Sequence, residues 1–214
     1  MILEKDIFDE NKYIEIKDDL IIAHGGDGTL LKAINRYKHL NLTFAGLANG
    51  TKNFLMNETK LNEHLNIIEL NLINAEIKTK NTIINIEAFN EVMIGGDMNA
   101  WIHFDVEEIG SFSGGGLIIS TAQGSTGINK SNNGPILPLN TDMWSITGDK
   151  TNKKISFIKE PTKLKIKFNS RRSVSCWLDG ENNIIDEIEE IILTKGSVVK
   201  LAFNDINIFK NKRF

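Results

Sequence analysis

This 214-residue sequence contains little cysteine and little proline, and neither sign of charge is in large excess. These absences reduce the number of protein classes to which the chain can belong. The single cysteine, Cys176, excludes an internal disulfide framework and a cysteine-rich metal site. Its strand-like neighbours predict a buried thiol. The formal net charge of −3 gives no basic footprint for nucleic acid, so any phosphate site must be local. We therefore expect a globular chain with a sizeable core and no nucleic-acid partner.

Long apolar runs are also absent. Charged residues interrupt the first dozen positions, so this stretch does not resemble a signal peptide. No later apolar stretch is long enough to span a bilayer. The sequence therefore predicts a cytoplasmic protein with no membrane partner.

The most informative segment is a glycine-rich turn, HGGDGT at 24–29, between an apolar run and a helix-like stretch. We expect Gly25, Gly26 and Gly28 to adopt positive φ angles and to let a ligand approach closely. The N–H groups of the following helix would point at the same place, which suits a phosphate. Asp27 is costly at an anion site unless it accepts a proton or binds Mg²⁺. The alternative is that Asp27 only caps the helix.

The chain changes character near residue 66. A strand at 20–23, a helix at 30–39 and a strand at 42–47 predict one β-α-β unit. Alternating apolar residues then predict an antiparallel β-sandwich. We expect an α/β nucleotide-binding domain at 1–66, to which 198–214 return, and an all-β domain at 67–197. The strands predicted after residue 66 are 67–79, 82–94, 102–106, 116–121, 143–147, 164–169, 173–179, 184–193 and 197–203.

Two polar clusters interrupt apolar strands of the second domain. Asn90 and Glu91 lie within the apolar stretch 86–94, where a polar pair costs burial energy unless it binds a ligand or faces solvent at a sheet edge. The segment STAQGSTG at 120–127 follows a strand and predicts a wall of hydroxyl and amide donors for a polar ligand, or else a helix-capping loop. By itself, Asp179-Gly180 is typical of a hairpin turn.

Taken in order, these clusters resemble the motifs of the NAD kinase family, and the resemblance covers most of the chain. The segments are GGDGT at 25–29, GLANGTKNFL at 46–55, NEV at 90–92 and GGGLIISTAQGST at 114–126, followed by Ser131 and GPI at 134–136. The first motif alone is weak, because phosphofructokinases and lipid kinases share it. The resemblance implies the two-domain fold described above.

The resemblance also implies roles for particular residues. Asp27 would accept the proton of the 2′-hydroxyl of the adenosine ribose of NAD, which then attacks the terminal phosphate of ATP in the presence of Mg²⁺. The turn residues, including Thr29, would bind phosphates. The dinucleotide would lie against Asn90, Glu91, Thr126 and Ser131, with the wall shaped by Thr121, Gly124 and Ser125. The family further implies a homodimer or homotetramer.

Several positions depart from the family pattern. Gly115 replaces an aspartate, Gly127-Ile128 replaces Ala-Tyr, and Ala48 replaces an asparagine. We find no Pro-His-Ser segment near 147–156, and we expect the first strand and helix of the family to be missing before the glycine turn.

Two other functions stay open on the sequence. A lipid kinase of the diacylglycerol or sphingosine type would share the glycine turn, but it would need an apolar acceptor cleft. A non-catalytic dinucleotide-binding regulator is the second alternative, and retention of Asp27 argues against it.

Overall fold

The computed structural model describes residues 13–49, 53–58, 60–97, 100–180 and 183–207. These residues form two compact units. The first contains the described residues up to Glu69 and those from Val199 to Asn207, and the second contains those from Leu70 to Val198. No helix among the described residues is long and apolar enough to cross a membrane.

The first unit is a small α/β structure. Its strands are β1 (Ile14–Lys17), β2 (Leu20–Gly25) and β3 (Thr43–Ala48), and its helix is α1 (Asp27–Tyr37), followed by one 3₁₀ turn. Strands β2 and β3 are parallel, as a β-α-β unit requires, whereas β1 pairs with β2 antiparallel. The helix packs its apolar face on this sheet through Leu30, Ala33 and Ile34.

A strand from late in the sequence completes the first unit. Strand β15 (Ile188–Phe203) pairs in parallel with β3, with Lys200 opposite Thr43 and Leu201 opposite Phe44. The first unit is therefore built from two segments that are distant in sequence.

The second unit is rich in antiparallel strands that belong to two sheets. The strands are β4 (Asn66–Thr79), β5 (Ile83–Ala88), β6 (Glu91–Gly96), β7 (Ile102–Val106), β8 (Gly110–Gly114), β9 (Gly116–Ser120), β10 (Trp144–Asp149), β11 (Ser156–Lys159), β12 (Leu164–Asn169), β13 (Val174–Leu178) and β14 (Ile184–Ile185). One sheet has the order β11-β10-β9-β6-β13-β14, and the other contains β15-β12-β7-β8 with β4 and β5.

Side chains from both sheets form one apolar core in the second unit. It includes Val92 and Ile119 from one sheet and Phe104 and Ile166 from the other, all at most 1% exposed. Phe112 on β8 stacks on Phe104 at 5.1 Å between ring centroids. The predicted fold class, an α/β region followed by an antiparallel β-sandwich, is confirmed.

Several predicted elements differ in their bounds. The predicted strand 82–94 is two strands, because the chain bends at Phe89 and Asn90. The predicted strands 184–193 and 197–203 are joined in the 16-residue β15. Strand β8, whose sequence GSFSG has little apolar character, was not predicted, and it forms by pairing with β7. Cys176 is buried in β13 as predicted, and burial raises the pKa of its thiol to about 12.

Candidate active site

The glycine turn joins β2 to α1 in the first unit. Gly25 ends β2, Gly26 is the N-cap residue, and the helix begins at Asp27. A Cβ atom on Gly25 would lie 2.4 Å from Oγ1 of Thr29, so the contact with Thr29 requires glycine there. The absence of a side chain at Gly25 leaves room for the hydroxyl-bearing side chain of Thr29 beside the turn.

The other two glycines differ from expectation. Gly26 has φ −118° and Gly28 lies inside the helix, so the predicted positive φ angles at these positions are wrong. A Cβ on Gly28 would meet no atom within 4 Å, and the residue is exposed. Gly28 therefore leaves open space beside the first turn of α1, where the amide groups have no partner within the helix.

The carboxylate of Asp27 is held by backbone groups of a distant segment. Phe54 donates its N–H to Oδ2 at 2.8 Å, and Leu55 donates its N–H to Oδ1 at 2.9 Å. The alternative that Asp27 caps the helix is wrong, since the N-cap residue is Gly26 and no side chain provides a capping bond. The two amide donors hold the carboxylate of Asp27 in one orientation.

A buried asparagine fixes the segment that carries Phe54 and Leu55. Asn57 is 2% exposed, and its Nδ2 donates to the carbonyl oxygens of Gly46 and Ala202, both at 3.1 Å. Its Oδ1 accepts the N–H of Asn204 at 2.8 Å. Sequence reasoning missed Asn57, whose amide ties the segment to β3 and β15.

The Asn90-Glu91 pair lies in the second unit, at the turn between β5 and β6. The Asp179 carboxylate accepts the N–H groups of Phe89 at 2.8 Å, Asn90 at 2.6 Å and Glu91 at 3.4 Å. Asp179 has φ +53° and Gly180 has φ +94°, so the two residues form a tight turn after β13. The predicted turn at Asp179-Gly180 is present in the backbone. Sequence analysis missed the hydrogen bonds that the Asp179 carboxylate accepts from the Asn90-Glu91 turn.

Glu91 has an unusual electrostatic environment. Burial, and to a smaller extent the neighbouring Asp179 carboxylate, raises the pKa of Glu91 to about 8. At neutral pH the side chain is therefore mainly protonated, and it can donate one hydrogen bond as well as accept others. A ribose diol, which also donates and accepts, matches such a group.

The predicted wall at 120–127 is tied to the same turn. Oγ1 of Thr121 donates to the carbonyl oxygens of Phe89 at 2.8 Å and Asn90 at 2.9 Å. Ser125 is fully buried and its Oγ donates to Ala122. A Cβ on Gly124 would lie 2.3 Å from the Asn90 carbonyl oxygen. The hydroxyls of Thr121 and Ser125 are thus directed at backbone carbonyls, so the expectation that they face a ligand as donors is corrected to a positioning role.

Most of the residues just after Ser125 are more exposed to solvent. Thr126 is half-buried, Ser131 is exposed, and Ile128 is 37% exposed at the start of the short helix α2 (Ile128–Ser131). Asn129 between them is fully buried, and its Oδ1 accepts the hydroxyls of Ser145 and Thr147 at 2.9 and 2.7 Å. Asn129 anchors α2 so that Ile128 and Ser131 remain at the surface.

Three further observations concern the placement of the site. A pocket of about 740 Å³ is lined by residues of β1 to β3 and of 60–67, and Asp27 is not among them. Among the described residues, no three His, Cys, Asp or Glu side chains are grouped so that they could hold a metal ion. Residues 50–52 of the second motif lie outside the described residues.

Comparison with known proteins adds to this geometry. The family model of the ATP-NAD kinase C-terminal domain matches residues 69–203. The NAD kinase of Rickettsia conorii is 30% identical over 213 residues, covering 90% of this chain and 83% of that relative. The chain belongs to the NAD kinase family. The NAD kinase of Rickettsia typhi is 40% identical over 149 residues, which are 63% of this chain and 58% of the relative.

Solved structures of the family share the fold. A yeast NADH kinase complexed with NADH has a TM-score of 0.78 and 19% identity, over 92% of this chain and 64% of the yeast chain. An NAD kinase from Archaeoglobus fulgidus in complex with ATP has a TM-score of 0.70 and 17% identity, over 91% of this chain and 83% of the archaeal chain. The present chain thus spans about two thirds of the yeast protein.

A second family model also matches. The diacylglycerol kinase catalytic domain matches residues 5–85, which include the glycine turn. This match agrees with the expectation that the turn is shared with lipid kinases, and it ends before the Asn90-Glu91 turn.

Proposed function

We propose that this chain is an NAD kinase, which transfers the terminal phosphoryl group of ATP to the 2′-hydroxyl of the adenosine ribose of NAD. The observation that carries the proposal is the Asp27 carboxylate, held by the amides of Phe54 and Leu55 at the start of α1. Membership of the NAD kinase family supports the same substrates.

In the proposed step, Asp27 is the general base. The 2′-hydroxyl proton passes to a carboxylate oxygen of Asp27 while the ribose oxygen bonds to the γ-phosphorus. The bond from that phosphorus to the β–γ bridging oxygen breaks, and ADP leaves with the electron pair. Holding the carboxylate in one orientation lowers the entropic cost of this step, because the base does not have to be aligned during the reaction.

The phosphates and the dinucleotide have separate candidate contacts. Gly25, Gly26, Gly28 and Thr29 form the turn that we propose binds phosphates, and the open space at Gly28 supports this role. We propose that Asn90, Glu91, Thr126 and Ser131 contact the dinucleotide, whereas Thr121, Gly124 and Ser125 hold the turn that presents them. The proposed domains are 1–66 with 198–214, and 67–197.

Mg²⁺ is the proposed cofactor. Mg²⁺ in such enzymes is commonly bound by one or two carboxylates and by the phosphates of the nucleotide, so the single carboxylate of Asp27 is compatible with an ion that arrives with ATP. When bound, the ion neutralises charge that develops on the phosphates.

We also propose a homodimer or homotetramer in the cytoplasm. Strand β11 is an edge of the six-stranded sheet, and it exposes Phe157 by 44% and Ile158 by 52%. An exposed apolar edge strand is a template for pairing with another chain, and most soluble oligomers are symmetric homo-oligomers. Light scattering at micromolar concentration measures the assembly directly.

The decisive experiment incubates the pure protein with Mg²⁺, ATP and NAD and detects NADP with an NADP-specific dehydrogenase. Parallel reactions replace NAD by NADH, or ATP by other triphosphates or polyphosphate. A reaction with diacylglycerol tests the lipid kinase alternative that the second family model raises. NAD binding without NADP formation from any donor would instead indicate a regulator.

A further inference from the structure

A basic and aromatic cluster lies in the second unit, away from the motifs described above. Arg171 and Arg172 form the exposed turn between β12 and β13, next to the exposed Trp101 and His103 at the start of β7. Together with Asn169 and Ser170 they line a pocket of about 470 Å³. We refer to this pocket as the Trp101 pocket.

The charges of the Trp101 pocket favour an anion. Among the described residues that line it, none is acidic. The guanidinium of Arg171 has no ion-pair partner within the described part of the chain. Arg side chains bind phosphates with two parallel N–H donors, so a pair of them at one turn suits a diphosphate.

The histidine adds a third donor. The Ser113 hydroxyl lies 2.6 Å from Nδ1 of His103. In the tautomer where Ser113 donates this hydrogen bond, Nε2 carries the ring proton and can donate to an anion. Ser113 is 4% exposed, so the hydrogen bond to the imidazole of His103 comes from the buried side of the ring.

Trp101 indicates what the anion is attached to. Its side chain is 58% exposed, whereas Trp144 is 2% exposed in the core. An exposed indole next to two guanidinium groups is the arrangement that stacks on a planar base while cations bind the adjoining phosphates. We propose that the Trp101 pocket binds a purine nucleotide, with the base on Trp101 and the phosphates on Arg171 and Arg172.

This pocket is separate from the Asn90-Glu91 turn. Arg172 precedes β13 and Asp179 follows it, so seven residues of extended chain, about 23 Å, separate the two ends. Arg171 and Arg172 also line a second pocket, together with Lys80, but Glu187 and Glu189 line it as well, and their carboxylates disfavour an anion there. The nucleotide is therefore assigned to the side of Trp101, as a ligand additional to the proposed substrates.

Tryptophan fluorescence tests the proposal. The full chain is titrated with ADP without Mg²⁺, and we expect saturable quenching that is lost in Trp101→Phe. Arg171→Ala/Arg172→Ala should raise the apparent Kd at least tenfold. Lys154→Ala/Lys163→Ala removes two exposed charges elsewhere in the same unit, and its Kd should stay within twofold of wild type.

Titrations with other ligands test the base-binding part and the phosphate-binding part of the Trp101 pocket independently. Adenosine, which has no phosphate, should bind at least tenfold more weakly than ADP, and inorganic pyrophosphate should compete with ADP. Quenching that persists in Trp101→Phe, or a Kd unchanged in the double arginine variant, would overturn the proposal. If the alanine variant unfolds by circular dichroism, Arg171→Gln/Arg172→Gln provides the same comparison.

Discussion

The backbone N–H of Asn90 donates a 2.6 Å hydrogen bond to the carboxylate of Asp179, which lies 89 positions later in the sequence. The same carboxylate binds the N–H groups of Phe89 and Glu91. The polar pair that we propose contacts the dinucleotide is thus positioned by a residue that need not touch the ligand.

Asp179→Asn should weaken dinucleotide binding. Asparagine tolerates the positive φ of this position, but it removes the charge and one acceptor. We expect KM for NAD to rise about tenfold, the effect of losing roughly 1.4 kcal/mol from a charged hydrogen bond, with a smaller change in kcat. Asp186→Asn, at another turn of the same unit, is the control and should leave KM unchanged. Equal KM values for the two variants would contradict the positioning role.

Protein stability should depend on pH through Glu91. Because the folded state keeps the pKa of Glu91 at about 8, above its ordinary value of 4.5, the folded state binds more protons between these values. The free energy of unfolding should therefore fall as pH rises from about 5 to 8, by at most about 1.4 kcal/mol per pH unit from this group. Urea unfolding at several pH values measures the slope. Glu91→Gln should flatten it, and a slope identical to wild type would remove Glu91 as the cause.

Asp27→Asn should abolish most phosphoryl transfer but keep dinucleotide binding. The amide is nearly isosteric with the carboxylate but cannot accept the proton, and general-base contributions are about 10²- to 10⁴-fold in rate. Turnover is measured with the coupled NADP assay and binding by calorimetry. Asp19→Asn, an exposed aspartate of the same unit, should retain full activity. Near-normal turnover of Asp27→Asn would exclude Asp27 as the base.

Gly28→Ala should raise the stability of the protein and lower its activity. The new methyl group meets no protein atom and lies in a helix, so we expect stabilisation of about 0.5–1 kcal/mol. The same methyl group would enter the space that we propose for phosphate, so kcat/KM should fall at least tenfold. Gly110→Ala is the matched control, because it also has open space but φ +87°, and it should lose stability without losing activity. Unchanged kcat/KM in Gly28→Ala would move the phosphate site elsewhere.

Asn57→Ala should destabilise the first unit and disturb Asp27 indirectly. The substitution removes the side-chain partner of the Ala202 carbonyl and of the Asn204 N–H, whereas the Gly46 carbonyl keeps the backbone N–H of residue 57. Each unsatisfied group costs about 1–3 kcal/mol, reduced where water can enter. Urea unfolding gives the change, and the surface variant Asn62→Ala should stay within about 0.5 kcal/mol of wild type. A loss below that limit in Asn57→Ala would show that the network is not stabilising.

The sequence predicts the contiguous segments of the site better than it predicts the distant groups that orient them. The turn around Asp27 is visible because its glycines, carboxylate and helix are contiguous. The amides of Phe54 and Leu55 and the carboxylate of Asp179 act across 27 to 90 positions of sequence. Two of these partners are backbone groups, which have no signature in residue type. Sequence patterns therefore indicate which residues are candidates but not what orients them.

The bounds of the strands also depend on distant groups that the sequence pattern does not reveal. Periodicity predicted one strand at 82–94, but the Asp179 carboxylate takes the amides of Phe89 and Asn90 and ends β5. Periodicity also predicted a break near Gly196, where Glu87 on β5 instead binds the N–H and the hydroxyl of Ser197 at 2.6 and 2.8 Å. In both places the strand bounds depend on a carboxylate that is distant in sequence, Asp179 in the turn after β13 and Glu87 on β5.

The pairing of β3 with the end of β15 constrains the order in which the protein can fold during its synthesis. Thr43 and Phe44 leave the ribosome 157 residues before Lys200 and Leu201, their partners in the sheet. At about 5–20 residues per second, that delay is about 8–30 seconds. Until then this edge of β3 has no strand beside it, so its unpaired N–H and C=O groups can pair with the edge strand of another chain.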